Sequence, residues 1–558
     1  MGKKYNESNT EYRDRVINSI SPSFCAAKWF NATIWLNNGT TASCHHPPAH
    51  RIIDFENGES FDDLKKNPSM IHNTSYKKLV RKQMLDGVRP KECEYCWKIE
   101  DISNEHVSDR VFKTVIYEED DIKLCQTKYR ETENVDLKTL EIAFDANCNF
   151  ACSYCNSSFS TAWQKDIVQN GIYKNLVSDG AKAYQHDGSW ARQYKKDDEN
   201  PYVQAFWDWW PQLSKEISEL RVTGGEATIS PDFWRLVEWW KTKPDSDIQF
   251  AVNTNLGVQG TKLDELIDAS HSIKKFVIYT SCEATGEQAE YIRDGLVWDE
   301  WKKSVDKLLT HGNVKEFNVM MTINSLCLYS ITDFMDYCNS LKKKYGRFHG
   351  VYSLNILRFP SFMSPGTLPL ELRKERSEHI KKWLNSSADI EVMHEMEIDA
   401  VKRLISYLEE IGDPHRGVSS LQSRQRDLKS FFSQYDLRRK NKNFTRAFPE
   451  LASWYDSIPL TDLGEDGELV SGDSTLGWGI KEELKELAKA EGWVLSPQMS
   501  NPGSKDYIDE QYQLDDLVEM EIKNLQAVYI KHSKEKLDES WSKQEIIKKL
   551  GAMGFVKV

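Results

Sequence analysis

The sequence has no run of about eighteen apolar residues, the least that crosses a bilayer as a helix, so no membrane span is predicted. Its charged start, MGKKYNESNT, leads into no apolar core segment, so no secretory signal is predicted and a cytoplasmic location is expected. Low-complexity tracts are absent, which excludes a chain too polar to bury a core. Positive charge is in deficit: 73 Lys and Arg against 86 Asp and Glu leave a net −13, which excludes a mainly electrostatic grip on duplex nucleic acid. The cysteines do not pair off. Eleven of them, an odd count in a chain expected to stay in a reducing compartment, argue against a disulfide framework and for metal or redox chemistry. What the chain does have is bulk. With 558 residues, 39% hydrophobic, and 18 Trp, it exceeds one core and should divide into several domains.

Seven cysteines fall into two groups, Cys25, Cys44, Cys93 and Cys96, then Cys148, Cys152 and Cys155. The scattered Cys125, Cys282, Cys327 and Cys338 read as small buried hydrophobes. The second group lies in FDANCNFACSYCNSS with the spacing Cys-x3-Cys-x2-Cys. A structural zinc site wants four protein ligands, and no fourth Cys or His follows nearby. A redox Cys-x2-Cys would not use Cys148. A [4Fe–4S] cluster held by three thiolates suits the count and leaves one iron open.

The flanking sequence repeats one pattern. LKTLEIAF reads as a buried strand that ends before the cysteine loop, and ELRVT as a strand running into Gly224, Gly225 and Glu226, where glycines let the backbone approach a ligand closely. DIQFAVNTN ends in Asn253, Thr254 and Asn255, and KKFVIYTSCEA ends at Ser281 and Glu283, with Tyr291 and Arg293 on the next helix. VKEFNVMMTIN and GVYSLNILRF supply two more strands. Strands alternating with helices predict a parallel sheet. Polar groups at the strand C-termini predict the functional face of a (β/α) barrel.

These residues carry a family resemblance. Cys148-x3-Cys152-x2-Cys155 with Tyr154 before the last thiol resembles the signature of radical S-adenosylmethionine enzymes, and Gly224-Gly225-Glu226 resembles their second motif, with Ala227 where a proline often stands. The resemblance spans 137–358. It implies an α/β fold, a partial (β/α)6 barrel, and a [4Fe–4S] cluster on Cys148, Cys152 and Cys155 whose open iron binds S-adenosylmethionine. It also implies Tyr154 near the adenine, Glu226 and the Gly225 backbone on the methionine ammonium, and Arg293 near the carboxylate. Asn255, Ser281 and Glu283 would lie near the ribose, and a flavodoxin or ferredoxin would serve as reductant.

The first cysteine group needs a separate account. ATIWLNNGTTASC reads as a hairpin about Asn37-Asn38-Gly39, with Cys25 before it and Cys44 at its end. SYKKLVRKQMLDG reads as a helix stopped by Gly87, and KECEYCW delivers Cys93 and Cys96. Four thiols fit zinc or a second iron–sulfur cluster. The order of these features resembles the N-terminal part of twitch-domain radical S-adenosylmethionine proteins, which implies an auxiliary [4Fe–4S] cluster on Cys25, Cys44, Cys93 and Cys96. In CHHPPAH, the prolines make His45, His46 and His50 part of an extended loop beside that site rather than a ligand set.

The remaining organisation follows. Residues 1–130 are expected to form the cysteine-rich hairpin and helix module, and 131–360 the barrel with an insertion at 157–218, either a lid or Trp-rich packing. Residues 361–455 should be a helical extension, in which Arg438 and Arg439 lie on a solvated face or meet an acidic substrate. A linker at 456–479 precedes a small helical domain at 480–558. A peptide or protein substrate is expected, with a small molecule or nucleotide-sugar as the second possibility and a zinc-stabilised scaffold as the third.

Overall fold

Apolar and polar residues alternate along the expected strands: Leu140 and Ile142 are buried between half-exposed Thr139 and Glu141, and Leu220 and Val222 between Glu219, Arg221 and Thr223. A period of two marks strands with one packed face. In the computed structural model these stretches form one sheet. The structure describes residues 3–459 apart from 131–133, 187–198, 258–259, 347–349, 416 and 440, and beyond 459 only 512–513, 546 and 556–557.

The strands are β1 (Asn31–Trp35), β2 (Thr40–Ala42), β3 (His50–Arg51), β4 (Thr139–Ala143), β5 (Ala151–Cys152), β6 (Glu219–Thr223), β7 (Gln249–Thr254), β8 (Phe276–Ser281), β9 (Arg293–Asp294), β10 (Glu316–Ile323) and β11 (Tyr352–Ile356). The helices used below are α1 (Ser75–Leu85), α2 (Glu94–Glu100), α3 (Thr161–Asn170), α4 (Pro201–Leu213), α5 (Pro231–Lys241), α6 (Thr261–Ser272), α7 (Gly286–Ile292), α8 (Trp298–His311), α9 (Ile331–Lys344), α10 (Leu370–Ser386), α11 (Glu395–Glu409) and α12 (Leu421–Arg438). The nine-stranded order is β11-β10-β8-β7-β6-β4-β1-β2-β3. Within this sheet β4, β6, β7, β8, β10 and β11 pair in parallel, with α4, α5, α6, α8 and α9 as crossovers. Crossovers of one hand between neighbouring strands place the helices on one face. Phe250 of β7 stacks on Trp240 of α5 at 4.2 Å, and Phe144, just past β4, meets Phe206 of α4 edge-on at 5.2 Å. The Trp-rich α4 is thus a packed crossover helix, and the lid alternative does not apply to it.

The parallel α/β sheet is as expected, but the partial barrel is not shown: the strands form a consecutive parallel run in a sheet that does not close among the described residues. The hairpin is not a separate layer. β1 joins β4 in parallel, Asn31 opposite Thr139 and Trp35 opposite Ala143, and β2 and β3 follow antiparallel. The sheet therefore runs across the boundary expected at 130, and Met1–Pro459 is one unit. Strand direction has a consequence for the cysteines. Cys148 follows the C-terminal end of β4, whereas Cys25 precedes the N-terminal end of β1, so the two groups flank opposite ends of the sheet. Asp456 and Ser457, expected in the linker, belong to the helix Pro449–Ser457. Most of the expected linker and the small helical domain lie outside the described residues; in Leu460–Val558 the described pairing is Tyr512–Gln513 with Val556–Lys557.

The β11 edge is held by a buried charge. Glu397 of α11 is fully buried, accepts the Tyr352 amide at 2.8 Å, and pairs with Lys342 of α9 at 2.5 Å. Removing one partner of a buried pair leaves the other uncompensated. Lys342→Met is expected to lower unfolding stability by about 3–5 kcal/mol in denaturant titration; a loss below about 1 kcal/mol, the size of a surface pair, would contradict this account of the edge.

Candidate functional site

The loop after β4 is fastened from three sides. Ser160 caps α3, accepting the Trp163 amide at 3.4 Å, while its hydroxyl donates to the Phe150 carbonyl at 2.9 Å. Thr161 accepts the Cys148 amide at 3.1 Å, and the Trp163 indole donates to the Cys152 carbonyl at 2.9 Å. On the second side, β5 pairs antiparallel with β9, which sets Cys152 opposite Arg293. On the third, the hydroxyl of Tyr184, from the insertion, donates to the Ser153 carbonyl at 3.0 Å. These anchors hold the loop that carries the three half-buried cysteines. Burial raises all three, Cys155 to about 12, and each is raised further by a neighbouring thiol or carboxylate. The sulfurs also attract donors: the Phe150 amide lies 3.4 Å from Cys148 Sγ and Arg293 Nη1 3.8 Å from Cys152 Sγ. N–H groups aimed at sulfur suit a thiolate.

The Gly-Gly-Glu turn sits directly on this loop. A Cβ on Gly225 would lie 2.3 Å from the Asn147 carbonyl oxygen and 2.7 Å from that of Ala146, and Gly224 has φ +135°. The Glu226 amide donates to the Asn147 carbonyl at 2.6 Å. The Glu226 side chain is 1% exposed. Its Oε1 accepts the Thr228 amide (3.2 Å) and the Thr228 and Thr254 hydroxyls (2.5 and 2.7 Å), and its Oε2 accepts the Asn255 amide (2.6 Å). A carboxylate has about four acceptor sites, so capacity remains at Oε2. Burial raises its pKa, and among the described residues no Lys or Arg pairs with it. This is a buried acid in contact with the cysteine loop and without a counter-cation.

Other expected site residues have found each other. Arg293 donates to Glu283 through Nη2 at 2.6 Å and Nε at 3.1 Å, with 4% and 1% exposure. Tyr154 donates to the same carboxylate at 3.3 Å, its ring 5.5 Å from the guanidinium. Glu283, expected near a ribose, and Arg293, expected near a carboxylate, form a buried ion pair with the guanidinium beside Cys152. Asn255 donates to Asn149 in the cysteine loop at 2.8 Å. Ser281 ends β8, half-buried. Arg438 and Arg439 do not form an open basic face. Arg438 binds Asp166 at 3.0 Å, and Arg439 binds Asp294 at 2.7 Å and the Tyr173 hydroxyl at 3.1 Å, tying α12 to the insertion and to β9. Asn149, Thr161 and Tyr184 act at the site without having been singled out in the sequence. Thr161, behind a helix-capping Ser160, carried a local signal; Asn149 and Tyr184 carried none.

Cys25, Cys44, Cys93 and Cys96 are all buried and line one cavity, joined by Lys28, His46, Trp97, Asp109 and Lys113. Burial is the main cause that raises Cys25 to about 12 and Cys93 to about 11. The surrounding charge is lopsided. Lys28, Lys77, Arg81 and Arg110 are all at most 2% exposed. Lys28 pairs with Glu92, and Arg110 with Glu100 at 2.7 Å. Arg81 and Lys77 donate only to neutral groups, among them Asn73 at 3.0 Å and Thr41 at 2.8 Å, and burial pushes Lys77 well down. Of these four cations, Lys28 and Arg110 line the cavity, and each is already paired with an acid. His46 pairs with Asp109 at 2.6 Å and stacks on Tyr95 at 3.9 Å beside the cavity. His45 contacts Lys113 and His50 contacts Thr74, at 3.1 and 3.0 Å. Among the described residues, no three His, Cys, Asp or Glu side chains are grouped tightly enough for a single metal ion.

No family profile matches the chain, and no curated protein does. Among solved structures, histidine-tagged anSMEcpe with bound AdoMet is similar at 13% identity and TM-score 0.28, over 44% of this chain and 60% of that one. SuiB of Streptococcus suis bound to S-adenosylmethionine is similar at 13% identity and TM-score 0.31 (63% and 68%), and SuiB bound to precursor peptide SuiA at 11% and 0.30 (64% and 69%). At those values the likeness decides neither fold nor chemistry.

Gly225→Ala drives a methyl group into two carbonyl oxygens of the cysteine loop, whereas a Cβ at Gly346 meets nothing within 4 Å. Gly225→Ala is expected to cost about 1–3 kcal/mol in thermal unfolding, and Gly346→Ala less than about 0.5 kcal/mol. Equal effects would show that the two loops are not in contact.

Proposed function

We propose that the chain is a radical S-adenosylmethionine enzyme, with Cys148, Cys152 and Cys155 as ligands of a [4Fe–4S] cluster. The observation that carries this reading is Glu226, a buried acid held against a three-cysteine loop and lacking a cation among the described residues. An ammonium group is the partner it lacks, and S-adenosylmethionine has one. The donor set fits the cluster: three sulfurs from one loop, two of them approached by N–H groups. Held by Cys148, Cys152 and Cys155, such a cluster would supply the one electron that reductive cleavage of S-adenosylmethionine requires, and so hydrogen-atom abstraction from a substrate.

The protein's own contributions follow from the geometry. Glu226 offers Oε2 to the ammonium while Thr254 and Asn255 fix the carboxylate. Arg293, locked by Glu283, holds positive charge beside Cys152 and offsets the negative charge of ligating thiolates. Trp163, Tyr173, Tyr184 and Phe431 pack into one aromatic wall against the loop, with ring centroids 4.6–6.2 Å apart, and keep water from it.

The four-cysteine site is read as an auxiliary [4Fe–4S] cluster in a twitch-like module. Its sulfurs surround a cavity rather than a point. Thiolates of a cluster bind separate irons and need that room, whereas four on one zinc would sit about 3.8 Å apart. Both cysteine groups adjoin one sheet, which leaves a substrate, most simply a peptide, to lie between them.

Iron and sulfide analysis after anaerobic purification should give about eight irons per chain, falling to about four in Cys93→Ser/Cys96→Ser, and Cys152→Ala should abolish 5′-deoxyadenosine formation. Zinc in place of iron, or 5′-deoxyadenosine from Cys152→Ala, would overturn the reading. A pH dependence also follows. Thiols raised to about 11 or 12 keep their protons at neutral pH, and a metal must displace them. Ferrous-ion affinity of the metal-free chain should therefore rise between pH 6 and 8, by about tenfold per unit for each proton released; a flat profile would contradict it.

A further inference from the structure

In a parallel sheet both faces are ordinarily covered and apolar. The helix-facing side obeys that rule, whereas the other side mixes buried Ala143, Ala251 and Val277 with polar residues. On that side Glu141, Arg221, Asn253, Tyr279, Ser281 and Met320 stand half-exposed in a band across β4, β6, β7, β8 and β10. The band lies between the strand ends that carry the two cysteine groups. Polar groups on such a face are stable only against water or a ligand.

Their hydrogen bonding says what kind of ligand. Arg221 reaches across β7, where Ala251 is its paired residue, and stacks on Tyr279 at 4.1 Å. It also stands 3.3 Å from Glu219 and 3.8 Å from Glu141, so one cation serves two acids. Glu141 is the less well served: burial raises its carboxyl, Arg221 only partly reverses the shift, and Lys113 acts on it more weakly still. Asn253 Oδ1 is buried without a donor, its amide reaching only Met320 Sδ at 3.9 Å, and Arg221 Nε is buried without an acceptor. Glu141 and Asn253 lie two strands and one layer apart, roughly 12 Å from strand spacing and rise. Three or four residues of extended chain cover that span.

We infer that this face binds an extended peptide bearing a basic side chain: Glu141 reads the ammonium or guanidinium, Asn253 Oδ1 accepts a backbone N–H, and Arg221 Nε donates to a backbone carbonyl. The inference rests on the enzymatic reading above and names its substrate class.

The test uses full-length protein and blocked pentapeptides acetyl-Gly-Gly-X-Gly-Gly-amide, with X as Lys, Arg, Gln or Glu, titrated by calorimetry. The Lys or Arg peptide should bind at least tenfold tighter than the Gln peptide, and the Glu peptide weakest. Glu141→Gln should remove the preference while leaving the Gln peptide within twofold, and Asn253→Ala should weaken all four alike. If Glu141→Gln does not fold, Glu141→Asp should weaken the Lys and Arg peptides selectively. Equal affinities, a preference for the Glu peptide, no binding of any peptide, or a preference that survives Glu141→Gln would overturn the inference. Binding is read without cofactor cleavage, so these results and the iron and 5′-deoxyadenosine results can fail separately.

Discussion

The backbone at Gly225 lies so close to the Ala146 and Asn147 carbonyls that no side chain fits between them. This contact, sealed by the Glu226 amide on Asn147, joins the loops after β4 and β6 into one rigid edge. The other constraints extend from it. Glu226 reaches on to Thr254 and Asn255 at the end of β7, and Asn255 returns to Asn149 in the cysteine loop. The cysteine loop is thus held by the ends of β6 and β7 as well as by α3, β9 and Tyr184.

Charge is arranged in two incomplete halves. Among the described residues, a buried carboxylate at one end of the sheet lacks a cation, and at the other Lys77 and Arg81 are buried without acids of their own. Such arrangements are costly in an empty protein. On the proposed reading, an ammonium-bearing cofactor would meet Glu226. The Arg293–Glu283 pair differs, being complete in itself, and it aims a cation at Cys152.

Much of this was legible in sequence because it is local. Short apolar runs ending in polar residues located the strands, and Asn38-Gly39 located the hairpin; the glycines before Glu226, read as allowing close approach to a ligand, lie against carbonyls of the cysteine loop. What periodicity could not specify was long-range pairing. That β1 lies parallel to β4, across more than a hundred residues, depends on the sheet edge available after folding. The two-residue ladder of β5 with β9 is too short to leave a pattern. The union of Glu283 with Arg293 was hidden because each has a plausible role alone. Arg438 and Arg439, read as a solvated or substrate-facing pair, are fixed by acids on segments remote in sequence.

The central claim is that the Cys148 loop leaves one iron open to a ligand held by Glu226. Electron paramagnetic resonance of the reduced Cys93→Ser/Cys96→Ser protein, before and after S-adenosylmethionine, tests it most directly. The account predicts a single iron–sulfur signal whose g-values shift on addition, with the shift lost in Glu226→Gln. A signal that S-adenosylmethionine leaves unchanged would contradict it.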